Sequence, residues 1–505
     1  MEKKTGKVWL VGAGPSDPGL FTLKGKAVLE QAEVVVYDAL AGQGVLSMIP
    51  PRAERIDVGK RSCHHTMVQE KINELLAEKA LEGKRVVRLK GGDPFLFGRG
   101  GEELELLTRY GIPYEIVPGV TSALSVPAYQ GIPVTHRDFC SSVHIITGHK
   151  RAGQSYDIDF EALVRIRGTL VFLMGVSSLG DICRGLLDAG IDPGMPAALL
   201  IQGTTAHQQR IVAEVATLEE EVKRQGARTP AIIVVGEVCR LAEQFGWYEK
   251  QPLGGVKVLL TRPQERMGVT ASKLRSLGAE VLEVPAIRTV KKEHNQKLYQ
   301  ALDTLADYRW IAFTSPAGAR IFFEEMEAGK IDMRRLANIK MAVIGPGTGQ
   351  ELEKRGIYPD LIPDIYDGEH LGLALAAHCK PGERILIPRA AVGSKELTDA
   401  LEAKELAFDD IATYDTEYET SGLVDIQKEC TEGGIDYVVF TSASTVRGFA
   451  AAASLADYTG IKAVCIGKQT KTAADALGMR TWMAEKATID SLVQRLVEVH
   501  CEENK

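Results

Sequence analysis

Short apolar runs that alternate with helix-like segments most restrict the fold of this chain of 505 residues. Apart from the basic strand RVVRLK, the runs contain consecutive apolar residues rather than one at every second position: KVWLVG, EVVVYD, SVHIITGH, GTLVFLMG and PAIIVVGEV. Such strands are buried on both faces, as in an α/β sheet that helices cover. Segments with helical spacing, such as TLKGKAVLEQA and KINELLAEKALEGK, separate them. The pattern therefore predicts an α/β protein, and its length implies about two to four domains.

A change of composition near residue 250 predicts the main domain boundary. Residues 252–255, Pro-Leu-Gly-Gly, favour a short linker, because proline and glycine interrupt regular structure. A new strand-like run, VKVLLTRP, follows directly. We therefore predict one domain over residues 1–250 and a second over 255–505.

The second half of the chain contains an internal repeat. WIAFTSPAGARIFFEEM aligns with YVVFTSASTVRGFAAAA, VKVLLTRP with ERILIPRA, and KMAVIGPGTGQELEKRGI with IKAVCIGKQTKTAADALGM. The aligned segments predict strand–turn–helix units that occur twice, and hence two similar α/β lobes rather than a solenoid of many short repeats. Two matched lobes usually form a cleft, where small ligands bind.

Charge and cysteine content restrict the class of partner. The net charge of -7 argues against a nucleic-acid-binding protein held by a global positive field. Neither half is basic overall, and no apolar run reaches the roughly 20 residues of a membrane span. The cysteines are scattered without a Cys-x-x-Cys pair, which favours reduced thiols in a cytoplasmic protein. Because the run Cys63, His64 and His65 lacks a second ligand pair, we expect no metal site there.

Two glycine-rich stretches indicate places where the backbone turns tightly or contacts a ligand. VRLKGGDPFLFGRGGEE, residues 87–103, places a Gly-Gly-Asp-Pro turn directly after a basic strand. Glycine costs backbone entropy in an ordered structure, so this cluster predicts either a small-molecule site or a surface connection. VGAGPSDPG, residues 11–19, matches a dinucleotide fingerprint only in part, because Asp17 occupies the third glycine position and Pro15 and Pro18 oppose a helix start.

Several motifs of the first half occur in one order: VGAGPSDPGLFTLKGKAVL, VVVYD, VGKR, RLKGGDPFLFGRGGEE, VPGVTSAL, AYQGIPVTHR, TLVFLMG and TPAIIVVGEV. Over residues 5–250 they resemble the tetrapyrrole methylases that use S-adenosylmethionine, most closely the uroporphyrinogen-III C-methyltransferases. The resemblance implies an N-terminal methylase fold of two α/β subdomains with the methyl donor in the cleft between them. It assigns these donor-binding residues: Pro15, Gly91, Gly92, Asp93, Leu96, Thr121, Ser122, Met174 and Gly203.

The chemistry of methyl transfer to carbon needs positioning and a base. In a direct displacement, correct placement of the methyl donor and the acceptor carbon does most of the catalytic work. A general base that removes the pyrrole proton makes the ring a better carbon nucleophile. The resemblance assigns Asp38 as base and Lys60 as acid; the alternatives are a turn-capping carboxylate and a cation that holds a substrate carboxylate. Ser16 departs from the family's usual glycine, and Ala39 from a larger or basic residue. Because the substrate carries many carboxylates, four basic residues are candidate anchors: Arg61, Arg99, Arg137 and Lys150.

The second half resembles the uroporphyrinogen-III synthases over residues 255–500, through VLLTRP, FTSPAGARIFF, VIGPGTGQEL, YDGEHL, ILIPRA, TYDTEY, FTSASTVRGF and CIGKQTKTAADALG. The resemblance implies a bilobal, pseudo-duplicated α/β fold with flavodoxin-like lobes. Lobe one comprises 255–288 with 418–505, and lobe two comprises 289–417.

The synthase reaction cyclises hydroxymethylbilane with loss of water and inversion of the last ring, so a weak acid near the departing hydroxyl is enough. By resemblance Tyr414 is that acid; a tyrosine that only packs between the lobes is the alternative. Hydroxyls and helix N-terminal amides can hold carboxylates without a basic surface. The candidates for this role are Ser315, Gly345, Thr441, Ser442, Ser444 and Thr470.

Together the resemblances imply a bifunctional enzyme that makes uroporphyrinogen III and methylates it twice to precorrin-2. The alternatives are a methyltransferase for another corrin intermediate with a degenerate synthase half, and a non-catalytic tetrapyrrole-binding module. Methylases of this family usually dimerise, which predicts a homodimer through the methyltransferase half. Sirohaem and cobalamin both stay open as end products.

Overall fold

The computed structural model describes residues 5–59, 67–148, 158–226, 228–261, 267–419, 424–432 and 434–504. By contacts the chain divides into two compact units, Met1–Val258 with Ala271–Glu283, and Leu259–Thr270 with Val284–Lys505. This division assigns 271–283, predicted to belong to the second domain, to the first unit. The boundaries 1–250 and 255–505 stay a prediction.

The first sheet is entirely parallel, with strand order β3-β2-β4-β1-β5. Its strands are β1 (Lys7–Gly12), β2 (Val34–Tyr37), β3 (Glu54–Asp57), β4 (Arg85–Lys90) and β5 (Tyr114–Val117). The helices of this region are α1 (Leu23–Leu29), α2 (Gln43–Leu46), α3 (Gln69–Leu81), α4 (Gly100–Arg109) and α5 (Ser122–Tyr129). The strands and helices predicted from apolar runs in this region are confirmed.

The second sheet is mixed, with order β6-β7-β10-β8-β9 and a parallel pair only between β6 and β7. Its strands are β6 (Val143–Thr147), β7 (Thr169–Leu173), β8 (Pro196–Ile201), β9 (Gln209–Glu214) and β10 (Ala231–Val235). Its helices are α6 (Phe160–Ile166), α7 (Leu179–Asp188), α8 (Leu218–Gln225) and α9 (Ala242–Phe245). Ala123 and Val126 of α5 pack into the apolar core on one face of this sheet.

The rest of the chain contributes two further five-stranded sheets, ordered β12-β11-β18-β19-β20 and β13-β17-β16-β14-β15. The strands are β11 (Lys257–Leu260), β12 (Glu280–Glu283), β13 (Ile287–Lys291), β14 (Trp310–Phe313), β15 (Lys340–Val343), β16 (Arg384–Ala390), β17 (Ala407–Tyr418), β18 (Tyr437–Phe440), β19 (Lys462–Cys465) and β20 (Arg480–Met483). The helices are α10 (Met267–Ser276), α11 (Gln296–Asp303), α12 (Pro316–Ala328), α13 (Pro346–Glu353), α14 (Gly368–His378), α15 (Glu396–Glu402), α16 (Ile426–Thr431), α17 (Ala443–Ala453), α18 (Lys468–Asp475) and α19 (Ile489–Glu503). Across the described ranges, none of the helices combines the length and the apolar character that crossing a bilayer requires.

The predicted internal repeat is confirmed by both backbone and core. In one copy β14 leads into α12, and in the other β18 leads into α17. Phe313 and Phe322 stack edge-on with ring centroids 5.5 Å apart, and Phe440 and Phe449 repeat this contact at 5.5 Å. All four rings are fully buried, and such pairs add about 0.5–1.5 kcal/mol beyond their burial. The repeated pattern therefore reflects a repeated core.

Candidate functional site

Glycines bring three loops together at the carboxyl edge of the first sheet. These loops follow the neighbouring strands β4, β1 and β5. Gly92 N donates to Gly14 O at 2.8 Å, and Gly14 N donates to Gly92 O at 3.2 Å. A Cβ on Gly12 would lie 2.5 Å from Gly119 Cα, so no side chain fits there. Gly14 and Gly92 have φ of 75° and 65°, which glycine adopts without strain. We call Gly12, Gly14, Gly92 and Gly119 the glycine floor.

Asp93 uses both carboxylate oxygens to hold this floor. Its Oδ1 accepts from Phe95 N at 2.8 Å, and its Oδ2 accepts from Gly119 N at 3.0 Å. The second bond ties the Gly-Gly-Asp turn after β4 to the loop after β5. That loop ends at Thr121, whose hydroxyl caps α5 by accepting from Ala123 N at 3.3 Å. Asp93 therefore stabilises the backbone conformation of two loops at the predicted donor site.

The turn after β1 is joined to the loop after β8. Thr204 Oγ1 donates to Pro15 O at 2.8 Å, and Thr204 is 5% exposed. A side chain at Gly203 would collide with Val126 of α5. Ser16 has φ of 121°, a conformation that L residues rarely adopt. This backbone angle gives a physical reason for the glycine that the family resemblance predicts at this position.

The predicted donor residues follow strand ends of the two sheets, in loops or, for Ser122, at the first position of α5. Pro15 follows β1, Gly91, Gly92, Asp93 and Leu96 follow β4, Thr121 and Ser122 follow β5, Met174 follows β7 and Gly203 follows β8. Met174 has φ of 56° and is 51% exposed, so the side chain is open to a ligand. The individual donor contacts stay predictions.

Asp38 directly follows β2 and contacts the Gly-Gly-Asp turn after β4, which we call the donor turn. Its Oδ1 accepts from Leu40 N at 3.1 Å and from Gly91 N at 3.4 Å. Its Oδ2 lies 3.5 Å from Arg88 Nη2. The carboxylate therefore caps a 3-10 turn, as the alternative interpretation proposed, and also adjoins the predicted donor turn. Both roles stay open on this geometry.

The predicted basic anchors have different environments. Arg99 makes two hydrogen bonds to Glu102, at 2.8 and 2.6 Å, and this contact raises the pKa of Arg99 above its ordinary value. Arg137 is exposed. Lys60, Arg61 and Lys150 lie outside the described residues.

A group of buried ions under the donor turn was not predicted from the sequence. Arg88 is 3% exposed, Lys90 4% and Glu103 0%. Glu103 Oε1 accepts from Arg88 Nε at 3.1 Å, from Lys90 Nζ at 2.8 Å and from Gln69 Nε2 at 3.2 Å. Burial, and then the charge of Arg88, lower the pKa of Lys90 below its ordinary value. We call Arg88, Lys90 and Glu103 the buried ion cluster.

A sequence signal for this cluster did exist. Arg88 and Lys90 are two positions apart on a strand, so they face the same side, and Val86, Val87 and Leu89 beside them are apolar. In a strand at the centre of a covered sheet, two cations on one face need a buried anion.

In the second half, paired hydroxyls lie at helix starts. Ser315 caps α12 by accepting from Gly318 N at 3.0 Å, and its hydroxyl lies 2.8 Å from Tyr414 OH. Ser442 caps α17 by accepting from Thr445 N at 3.3 Å, and its hydroxyl lies 2.9 Å from that of Ser444. Tyr414 is 7% exposed. The structure therefore brings Tyr414 and Ser315 together at one helix N-terminus.

The remaining candidates of this half lie at or close to the starts of helices that follow strands. Gly345 directly precedes α13, and Thr441 directly follows β18. Thr470 lies in the first turn of α18 and is 4% exposed. Their carboxylate-binding roles stay predictions.

Comparison with known proteins gives the class. Residues 7–219 match the family of Tetrapyrrole (Corrin/Porphyrin) Methylases, and residues 268–494 match Uroporphyrinogen-III synthase HemD. The chain belongs to the tetrapyrrole methylase family in its first half and to the uroporphyrinogen-III synthase family in its second.

Three relatives illustrate this membership. A Porphyrin biosynthesis protein HemD of Ruminiclostridium josui is 48% identical over 494 residues, which cover 98% of each chain. A Uroporphyrinogen-III C-methyltransferase of Bacillus subtilis (strain 168) is 41% identical over 70% of this chain and 73% of its own length. An S-adenosyl-L-methionine-dependent uroporphyrinogen III methyltransferase of Methanosarcina barkeri is 48% identical over 49% of this chain and 97% of its own length.

Proposed function

We propose that this chain is a bifunctional enzyme of tetrapyrrole biosynthesis. Its second half cyclises hydroxymethylbilane to uroporphyrinogen III, and its first half uses S-adenosylmethionine to methylate that product twice to precorrin-2. The observation that carries the proposal is the glycine floor, a backbone surface without side chains at the carboxyl edge of a parallel sheet. Ligands bind at this edge in open α/β sheets, and a half-length methyltransferase matches this half almost completely.

Methyl transfer requires this chain to position two reactants and accept a proton. When bound, S-adenosylmethionine supplies an electrophilic methyl group. The glycine floor lets the backbone approach it closely, and Asp93 keeps the floor in shape through Phe95 N and Gly119 N. Carbon methylation leaves a proton to be removed from the pyrrole, and Asp38 Oδ2 is the proposed acceptor. The one proton released is then held by Asp38, and Lys60 is the residue that we propose as the acid.

Ring closure requires a proton at the departing hydroxyl. Tyr414 OH is the proposed donor, and Ser315 holds it at hydrogen-bond distance. We propose that the N-terminal amides of α12, α13, α17 and α18 hold the acetate and propionate groups of the substrate. This arrangement accounts for carboxylate binding in a half without an excess of basic residues.

Two further proposals concern the cellular location and the oligomeric state of the protein. The described cysteines are free thiols, which supports a cytoplasmic setting. We also propose a homodimer through the methyltransferase half. Light scattering on the full chain after gel filtration would give twice the mass of one chain, and a monomeric mass would contradict this proposal.

The deciding experiment is incubation of the full chain with hydroxymethylbilane, with and without S-adenosylmethionine. We expect the type III isomer without the donor, and the same macrocycle with two added methyl groups when the donor is present. Isomers are separated by chromatography, because cyclisation without inversion gives a product of the same mass. Type I isomer alone would indicate a degenerate synthase half. Unmethylated type III isomer would favour a methylase for another corrin intermediate, and neither activity would favour a binding module.

A further inference from the structure

The buried ion cluster has no part in the mechanism above. Its charges lie in the interior of the first subdomain, between β4 and the helices α3 and α4. Buried ion pairs are often no more stabilising than apolar residues of the same volume. Glu103 Oε2 also has no hydrogen-bond partner among the described residues, and an unpaired buried acceptor is unfavourable. Fold stability therefore gives little reason for the cluster.

The contacts of Arg88 leave its guanidinium one orientation. Nε donates to Glu103 Oε1 at 3.1 Å, while Nη1 donates to Val36 O at 3.4 Å and to Leu89 O at 3.2 Å. With these nitrogens fixed, Nη2 lies 3.5 Å from Asp38 Oδ2. A lysine could not reproduce this arrangement, because one ammonium nitrogen cannot reach both carboxylates as a planar fork does.

We propose that Arg88 is a positioning residue for methyl transfer: anchored by Glu103, it fixes the plane of the Asp38 carboxylate. Asp38 Oδ1 is already held by the amides of Leu40 and Gly91. The contact from Arg88 restrains the other oxygen, so Oδ2 presents a defined lone pair to the pyrrole proton. The inference rests on the proposed role of Asp38 as the base.

A double-mutant cycle tests whether Arg88 acts through Asp38. The variants are Arg88→Lys, Asp38→Asn and the double variant of the full chain, and the rate is single-turnover methylation of uroporphyrinogen III at saturating donor. Arg88→Lys keeps a cation beside Glu103, so it is the variant chosen to preserve folding; Arg88→Gln is the second. We expect Arg88→Lys to slow methylation by about 10- to 100-fold, the scale of a misplaced catalytic group. Donor affinity should stay within about twofold.

The decisive measurement is whether Arg88→Lys still slows methylation when Asp38→Asn is already present. In Asp38→Asn the base is already absent, so adding Arg88→Lys should change the rate by less than about twofold. Arg85→Lys is the matched control, because Arg85 lies on the same strand and pairs with Glu33 at 3.2 Å; it should leave the methylation rate unchanged.

The outcomes separate this inference from the proposed function. Equal slowing by Arg88→Lys in both backgrounds would mean a general structural role and would overturn the inference while the methyltransferase activity stands. A wild-type rate in both Arg88→Lys and Arg88→Gln would overturn it as well. If the wild-type chain fails to methylate uroporphyrinogen III, the proposed function fails and the inference fails with it.

Discussion

Removal of the Asp93 carboxylate should disable the donor site and spare the synthase. Asp93→Ala deletes two hydrogen bonds from backbone amides to a charged acceptor, each contributing about 1.5–3 kcal/mol. Phe95 is 51% exposed, so its amide can bond to water and that loss falls at or below the low end. Loss of both hydrogen bonds should therefore destabilise the Gly-Gly-Asp turn by about 2–4 kcal/mol.

This penalty converts into donor affinity if the floor must re-form on binding. Since every 1.4 kcal/mol is tenfold, Kd for S-adenosylmethionine should rise by roughly 30- to 700-fold. Asp93→Asn retains one acceptor oxygen and should lie between wild type and Asp93→Ala. Isothermal titration with the donor measures the affinity, and formation of uroporphyrinogen III from hydroxymethylbilane is followed in parallel.

A matched control separates this site from a general loss of turn structure. Asp192 makes a similar local bond, with Oδ1 accepting from Gly194 N at 2.9 Å before β8. Asp192→Ala should therefore leave donor affinity unchanged. A Kd within about threefold of wild type in Asp93→Ala would refute the idea that this carboxylate shapes the floor. Equal losses of donor binding and synthase rate would show that the two activities share structure.

Four further changes test other assignments. Asp38→Asn keeps a capping oxygen for Leu40 N but removes the base, so single-turnover methylation should fall by about 10²–10⁴-fold with donor affinity intact; near-normal methylation with a lowered Tm would leave Asp38 as a capping residue. Tyr414→Phe should slow cyclisation by about 10²-fold while methylation of supplied uroporphyrinogen III continues; a loss of about 1 kcal/mol of stability alone would indicate packing. Ser16→Gly should raise stability by about 1 kcal/mol, because relief of the positive φ exceeds the added chain entropy, and an unchanged Tm would contradict this. Residues 1–250 alone should unfold cooperatively and bind the donor; a fragment without a cooperative thermal transition would contradict the boundary near Pro252.

Local patterns predicted the helices, the strands and the fold class, but not the order of the strands within each sheet. Runs such as GTLVFLMG and EVVVYD predict strands, because consecutive apolar residues indicate burial on both faces. The order β3-β2-β4-β1-β5 and the antiparallel pairs of the second sheet depend on which strands become neighbours, and local apolar patterns do not show that. The repeat was detectable because both copies retain the same buried aromatic pairs.

The buried ion cluster shows the same limit at the candidate site. A charged residue on a strand suggests exposure unless its partner is known, and the partner of Arg88 is Glu103, on a helix beyond the Gly-Gly-Asp turn. Likewise, the family resemblance identifies Ser16 as a departure from glycine. Its φ of 121°, however, is visible only in the folded turn after β1. The motif predicts where the candidate site lies, whereas the ion pairs beneath it are visible only in the folded structure.

The two copies of the duplicated half differ in what lies beside the serine that caps one of their helices. Both lobes place a serine cap after a buried strand, with Ser315 bonded to Gly318 N and Ser442 to Thr445 N. A symmetric pair of caps suits a macrocycle precursor with similar carboxylates on each ring. Cyclisation with inversion of one ring, however, requires the acid at one end of the substrate only. Ser315 contacts the phenol of Tyr414, whereas Ser442 contacts the hydroxyl of Ser444, which is a much weaker acid. Under the proposed role of Tyr414 as the acid, a duplicated binding scaffold with one phenol in one lobe would direct the chemistry to a single ring.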